Sequence, residues 1–167
     1  NQKFILMAGI GYDAQVVNNI NPKLKRIFGK FIFILEAFKQ FFKLKDFNIS
    51  VKVDGQTYKG NWVLVTNAKH YAGPFSITNS ANIFNDVLVC YVFANLTKLN
   101  FLQSLWFIIA NGDLSKSKHI VTLNSNILEI NSSSPIPVQC DGESFIHTPV
   151  AIKNGKNFIT MLTPHLK

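Results

Sequence analysis

Two carboxylates flank one glycine at Asp141-Gly142-Glu143, between two short β-type runs. Paired acids are the raw material of proton transfer and of metal binding. The same tripeptide is also plain turn chemistry, because glycine accepts the positive φ of a primed hairpin turn. Asp54-Gly55, inside Val51 to Tyr58, carries that turn signal with no second acid. On spacing alone Asp141 reads as a turn residue; only the rest of the chain can raise the chemical reading.

A second stretch, Gly9-Ile10-Gly11-Tyr12-Asp13-Ala14, follows a strand-like run. Gly-x-Gly after a strand can begin a phosphate-binding loop, but the third glycine of a dinucleotide fingerprint is missing. The plainer reading is a tight turn with Asp13 capping a short helix through Gln15 to Asn19. Between Thr78 and Asp86 a polar loop offers oxygens that suit a hard cation and equally suit turns. Cys90 and Cys140 form no CxxC pair and the four histidines are scattered, so a disulfide framework or zinc site is not expected.

At 167 residues, 47% hydrophobic and 16% charged, the chain is long enough to bury a proper core. Its charge of +8 attracts anions in general. Arg26 is the only arginine, which argues against base reading and so against a nucleic-acid partner. No apolar run reaches the ~18–20 residues that cross a bilayer. The chain opens on a strand pattern without an initiator Met and reads as a piece of something longer.

The elements that must position these residues follow from periodicity. Residues 3–10 read as a buried strand. Asn21-Pro22 starts a helix over about 23–43, with Leu24, Ile27, Phe28, Phe31, Leu35, Phe38 and Phe42 on one apolar face. Lys23, Lys25, Arg26 and Lys30 give it a basic side that suits either solvent or an anionic membrane surface. Phe47 to Val53 and Tyr58 to Thr66 form a hairpin at Asp54-Gly55, and Val87 to Phe93 is a further strand. A helix capped by Thr97 or Asn100 runs through Ile109, its stripe of Leu102, Leu105, Trp106 and Ile109 most simply facing the core. Short strands follow at 119–123, 127–130, 136–140, 144–146, 150–152 and 158–162. The fold class is mainly β with two or three helices (α+β), a sandwich or barrel-like single domain over 1–167.

In order, these stretches resemble the C-terminal domain of the diacylglycerol kinase, sphingosine kinase and bacterial YegS-type lipid kinases. Ala8 to Ala14 is similar to the family's aGiGfDA, and Asn67 to Gly73 to its N-x-x-x-y-G-G. Asn79 to Leu88 is similar to P-x-A-x-x-D-D-G-x-L, and Val138 to Glu143 to v-q-v-D-G-E. The resemblance covers essentially the whole chain and implies the β-sandwich-like half of the NAD kinase/diacylglycerol kinase-like fold.

What it implies for function is transfer of the ATP γ-phosphoryl group to a hydroxyl of diacylglycerol or a related lipid, with Mg²⁺ offsetting phosphate charge. Asp141 corresponds to the general base and Glu143 to the acid beside it. Asp13 matches the acid that contacts the lipid headgroup, with Gly11, Asn67 and Gly73 in the substrate-binding motifs. Asn82, Asn85 and Val87 fall on the family's metal-ligand positions, although Asn85 stands where an aspartate is expected. The family's G-G-D-G-T nucleotide loop is absent from this sequence. ATP and Mg²⁺ would therefore bind mainly through a separate N-terminal domain, and this stretch alone is expected to be inactive. The implied setting is cytoplasmic and peripheral to a membrane, with a homodimer left open. The competing reading is a non-catalytic module that binds anionic lipid.

Overall fold

The computed structural model describes residues 2–155 apart from residues 22, 25, 27–30, 44, 72–74, 95, 96 and 111. Gly73, Lys25, Lys30 and the strand expected over 158–162 lie outside the described residues. The chain runs β1 (Met7–Ile10), α1 (Tyr12–Asn19), α2 (Phe31–Phe42), β2 (Ile49–Val53), β3 (Gln56–Gly60), β4 (Trp62–Thr66), β5 (His70–Tyr71) and β6 (Phe75–Ser76). It continues with β7 (Leu88–Phe93), α3 (Lys98–Ala110), a 3-10 turn (Leu114–Lys116), β8 (Ile120–Ser125), β9 (Ile127–Ser132), β10 (Pro137–Cys140), β11 (Glu143–His147) and β12 (Val150–Lys153).

Period-two patterning sorts these strands into two antiparallel sheets, one ordered β11-β10-β1-β4-β7-β8 and the other β12-β9-β2-β3; β5 and β6 pair separately. Alternate residues of the larger sheet face opposite layers. Ala8, Ile10, Val63, Val65, Cys90 and Val92 pack with Val51, Leu128 and Ile130 of the smaller sheet, making the sandwich core. Met7, Trp62, Leu64, Val89, Tyr91 and Phe93 pack instead with Tyr12, Val16, Ile32 and Phe101 of the helices. β4 and β7 are thus buried on both faces. Each such aliphatic side chain withdrawn from water contributes about 1.5–3 kcal/mol, so these two strands are the fixed platform under the rest.

Four sequence expectations change. The single strand read over 58–66 is two strands in different sheets, and the chain crosses between them at Gly60-Asn61. A Cβ on Gly60 would lie 2.7 Å from Phe93 O, so only glycine lets the backbones approach this closely. Helix α1 is preceded by Gly11 at φ 92° with no side-chain cap, so Asp13 is released from the capping role. Helix α2 buries Ile32, Glu36 and Gln40, whereas Leu35, Phe38 and Phe42 of the expected core stripe are exposed. Helix α3 likewise buries Phe101 and Ser104 and exposes Leu102 and Trp106. Asn21 keeps its expected place at a helix start, accepting from Lys23 N–H at 2.9 Å.

Candidate active site

Strand register decides which candidate residues meet. Met7 pairs with Thr66, Thr66 with Val89, Ala8 with Cys140 and Cys140 with Glu143. Just beyond these pairs lie residues 5 and 6, Asn67, Val87 and Asp141, all at one end of the larger sheet. Gly11 sits at the other end of β1, where a Cβ would lie 2.6 Å from Asn61 O; its conformation serves the turn into α1.

Asp141 and Gly142 form the β10–β11 turn at φ 50° and 85°, as the sequence signal requires. The backbone N–H groups of Ile5, Leu6 and Met7 donate to the Asp141 carboxylate at 2.7, 3.0 and 2.9 Å. On the opposite side Asn67 N–H donates to Leu6 O at 2.8 Å and Asn67 Nδ2 reaches Ile5 O at 3.4 Å. Residues 5–7 are therefore held between Asp141 and Asn67, which is why the ladder of β1 starts only at Met7. Glu143 is exposed, and among the described residues no partner reaches its carboxylate.

Asp13 reaches the same region from α1. Its carboxylate is buried over Gly9, where a Cβ would lie 2.1 Å from Asp13 Oδ2 and 2.8 Å from Gln139 Nε2. Tyr71 OH donates to Oδ1 at 2.5 Å and Gln139 Nε2 donates to Oδ2 at 2.5 Å. Gln139 Oε1 in turn accepts from Gly142 N–H at 2.8 Å, joining Asp13 to the acidic turn. Burial pushes the Asp13 carboxyl above its ordinary range, and the two donors pull the other way. Burial and the Asp13 charge push the Tyr71 phenol up. The sequence offers Gly9 only as part of a Gly-x-Gly turn and gives Tyr71 and Gln139 no role; the pairing of Gly9 with Gln139 and the Tyr71 hydrogen bond are what bring them to Asp13.

The loop bearing Asn82, Asn85 and Val87 is turned inward on itself. Asn82 Oδ1 accepts from Phe84 N–H at 3.0 Å, Asn82 O accepts from Asn85 N–H at 2.8 Å, and Asn85 Nδ2 donates to Ser80 O at 3.4 Å. A hard divalent cation needs several oxygen ligands, usually with carboxylate charge. Among the described residues no group of three His, Cys, Asp or Glu could hold one. These residues, as arranged, do not fit a magnesium ion. Cys90 and Cys140 are buried and free, and burial pushes the Cys90 thiol up to about 12, so neither offers a ready nucleophile.

The family model for the YegS C-terminal NAD kinase beta sandwich-like domain matches residues 7–163. The chain belongs to that family. A Staphylococcus epidermidis protein assigned by name to the lipid kinases is 29% identical over 98% of this chain and 54% of its own length. A Staphylococcus haemolyticus protein named diacylglycerol kinase is 25% identical over 98% of this chain and 50% of its own. A crystal structure of a Bacillus anthracis protein assigned to the diacylglycerol kinases superposes with a TM-score of 0.67 at 24% identity, covering 90% of this chain and 49% of that one, which shows the shared fold. This YegS-type domain thus spans about half the length of the relatives it matches. Among its described residues no helix is long and apolar enough to cross a membrane.

Proposed function

We propose that this domain is the lipid-facing half of an ATP-dependent lipid kinase that phosphorylates a hydroxyl of diacylglycerol or a related lipid. The observation that carries the reading is the hydrogen-bonded link from Asp13 through Gln139 to the turn that bears Asp141 and Glu143. Phosphoryl transfer to an alcohol needs an acceptor for the hydroxyl proton. Three N–H groups fix Asp141 in place and leave it about one of its roughly four acceptor positions. It is a stationary acceptor for that proton, and Glu143 is the second, open carboxylate beside it. Asp13, buried between Tyr71 and Gln139, supports the headgroup site through those two partners. ATP and Mg²⁺ enter with an N-terminal nucleotide-binding domain, so this half is inactive alone.

The same protein works at an anionic membrane surface. Leu35, Phe38 and Phe42 of α2 and Leu99, Leu102 and Trp106 of α3 are exposed, and the two helices meet through Phe41 and Phe101 at 5.4 Å. Lys39 on α2 and Lys43 just after it are exposed, as are Lys23 and Arg26 earlier in the chain. Apolar side chains flanked by cations suit an anionic interface.

The test is phosphate transfer from ATP to diacylglycerol and to a sphingoid base, in vesicles, by full-length protein. Wild type should yield phosphorylated lipid, and Asp141→Asn and Glu143→Gln should lower kcat, the base variant by roughly a hundredfold or more. Vesicle binding by wild type without any lipid product would instead favour a non-catalytic lipid-binding module.

A further inference from the structure

We propose that Gln139 is a positioning residue: its carboxamide holds Asp13 in one hydrogen-bonding state and couples it to the turn that carries Asp141 and Glu143. For its effect on activity this rests on the lipid-kinase reading above; the coupling itself does not.

The donor and acceptor chemistry fixes the orientation. Gly142 N–H can only donate, so the end of the amide facing it must be Oε1, at 2.8 Å. The other end, Nε2, then faces Asp13 Oδ2 at 2.5 Å and can only donate. Reversing the amide would set donor against donor at one end and acceptor against carboxylate at the other. Oδ2 is thereby confined to accepting, and any proton on Asp13 has to sit on Oδ1, against the Tyr71 hydroxyl, which can donate or accept.

A second turn in the same chain serves as an internal control. Asp54 and Gly55 adopt φ 49° and 81°, nearly the values of Asp141 and Gly142. The residue two places before that turn, equivalent to Gln139, is Lys52, whose Nζ lies 3.7 Å from Glu129 at the surface. An Asp-Gly turn of this geometry therefore forms without a buried amide beneath it. Gln139 is 2% exposed, and what it adds is the connection to Asp13. Gly9 leaves the room: a side chain there would occupy the place of both partner atoms.

The titratable groups around this amide are Asp13 and Tyr12 on α1, Tyr71 on β5, Glu36 on α2 acting on Tyr12, and Asp141 and Glu143 at the β10–β11 turn. Gln139→Glu keeps an acceptor for Gly142 N–H but sets a carboxylate against Asp13 Oδ2. Protonation of the new side chain restores a donor.

Full-length Gln139→Glu should show a lipid KM raised roughly tenfold to a hundredfold at neutral pH, recovering toward wild type as pH falls, while Gln139→Leu stays impaired throughout. A purely structural role predicts parallel losses in both variants at every pH, and that result would overturn the proposal. Proton–nitrogen correlation spectra of full-length protein give a readout that needs no activity. The Gln139 side-chain amide and the Gly142 amide should both move in Asp13→Asn, and unmoved resonances would refute the coupling. Were wild type to phosphorylate no lipid, the kinase reading would fall and the spectra would still decide this one.

Discussion

Asp13 and Gln139 meet at 2.5 Å over the bare backbone of Gly9, although 126 positions separate them in the chain. Three elements contribute: α1 supplies the acid, β10 the amide, and β1 the absence of a side chain. A methyl group at Gly9 would lie 2.1 Å from Asp13 Oδ2, a distance no real contact tolerates. Gly9→Ala should therefore destabilise the fold by about 1–3 kcal/mol, because the polar pair must shift or separate. Denaturant titration checks this, and stability equal to wild type would mean that the acid is not seated there.

The buried acid should leave a signature in stability against pH. Its pKa is raised in the folded state by desolvation, so the folded protein binds a proton more readily than the unfolded chain. Stability contributed by Asp13 is then fully present below the unfolded value of 3.8 and falls as pH rises through the raised folded value. Asp13→Asn removes the charge while keeping one acceptor for Gln139 and a donor toward Tyr71. Its melting temperature relative to wild type should climb as pH rises from acid to neutral, and a difference independent of pH would contradict a desolvated Asp13.

The turn carrying Asp141 was legible from the sequence, since Asp-Gly between β-forming runs specifies its backbone, and so were the period-two strands. What Asp141 does with its side chain was not, because its three donors belong to residues 5–7 at the far end of the chain. Strand pairing over such distances leaves no local trace. The switch of sheets at Gly60-Asn61 was hidden for a related reason: 56–60 and 62–66 both have strand-forming composition, the second as a continuous apolar run, and only the close approach to Phe93 shows the break. Helix faces were misread where polar residues are buried. Gln40 Nε2 donates to Glu36 Oε1 at 2.6 Å, and Tyr12 OH donates to Ala37 O at 2.5 Å, so one turn of α2 rests on polar contacts that hydrophobic periodicity cannot register.

Because Asp141 clamps the lead-in to β1, its replacement should be felt in the fold as well as in any chemistry. Asp141→Gly keeps the left-handed backbone at φ 50° and deletes only the carboxylate. Loss of an acceptor shared by Ile5, Leu6 and Met7 should cost about 1–3 kcal/mol and speed amide exchange at those three residues. Asp54→Gly, in the matching turn, should stay within about 0.5 kcal/mol of wild type. Equal effects at the two turns would show that the clamp contributes nothing.

The apolar face of α2 and α3 separates stability from binding. Phe38 and Phe42 are 64% and 59% exposed and pack edge to face on each other at 5.0 Å, so most of their surface meets solvent. Replacing both by serine removes little buried area, and the melting temperature should hold within a few degrees. Association with vesicles rich in anionic lipid should weaken by roughly tenfold or more, because two aromatic anchors of the interfacial face are gone. Raising salt should weaken wild type further through Lys23, Arg26, Lys39 and Lys43, which act over about a Debye length. Vesicle binding unchanged by the double substitution, with folding intact, would remove this face from the membrane and leave it to a protein partner.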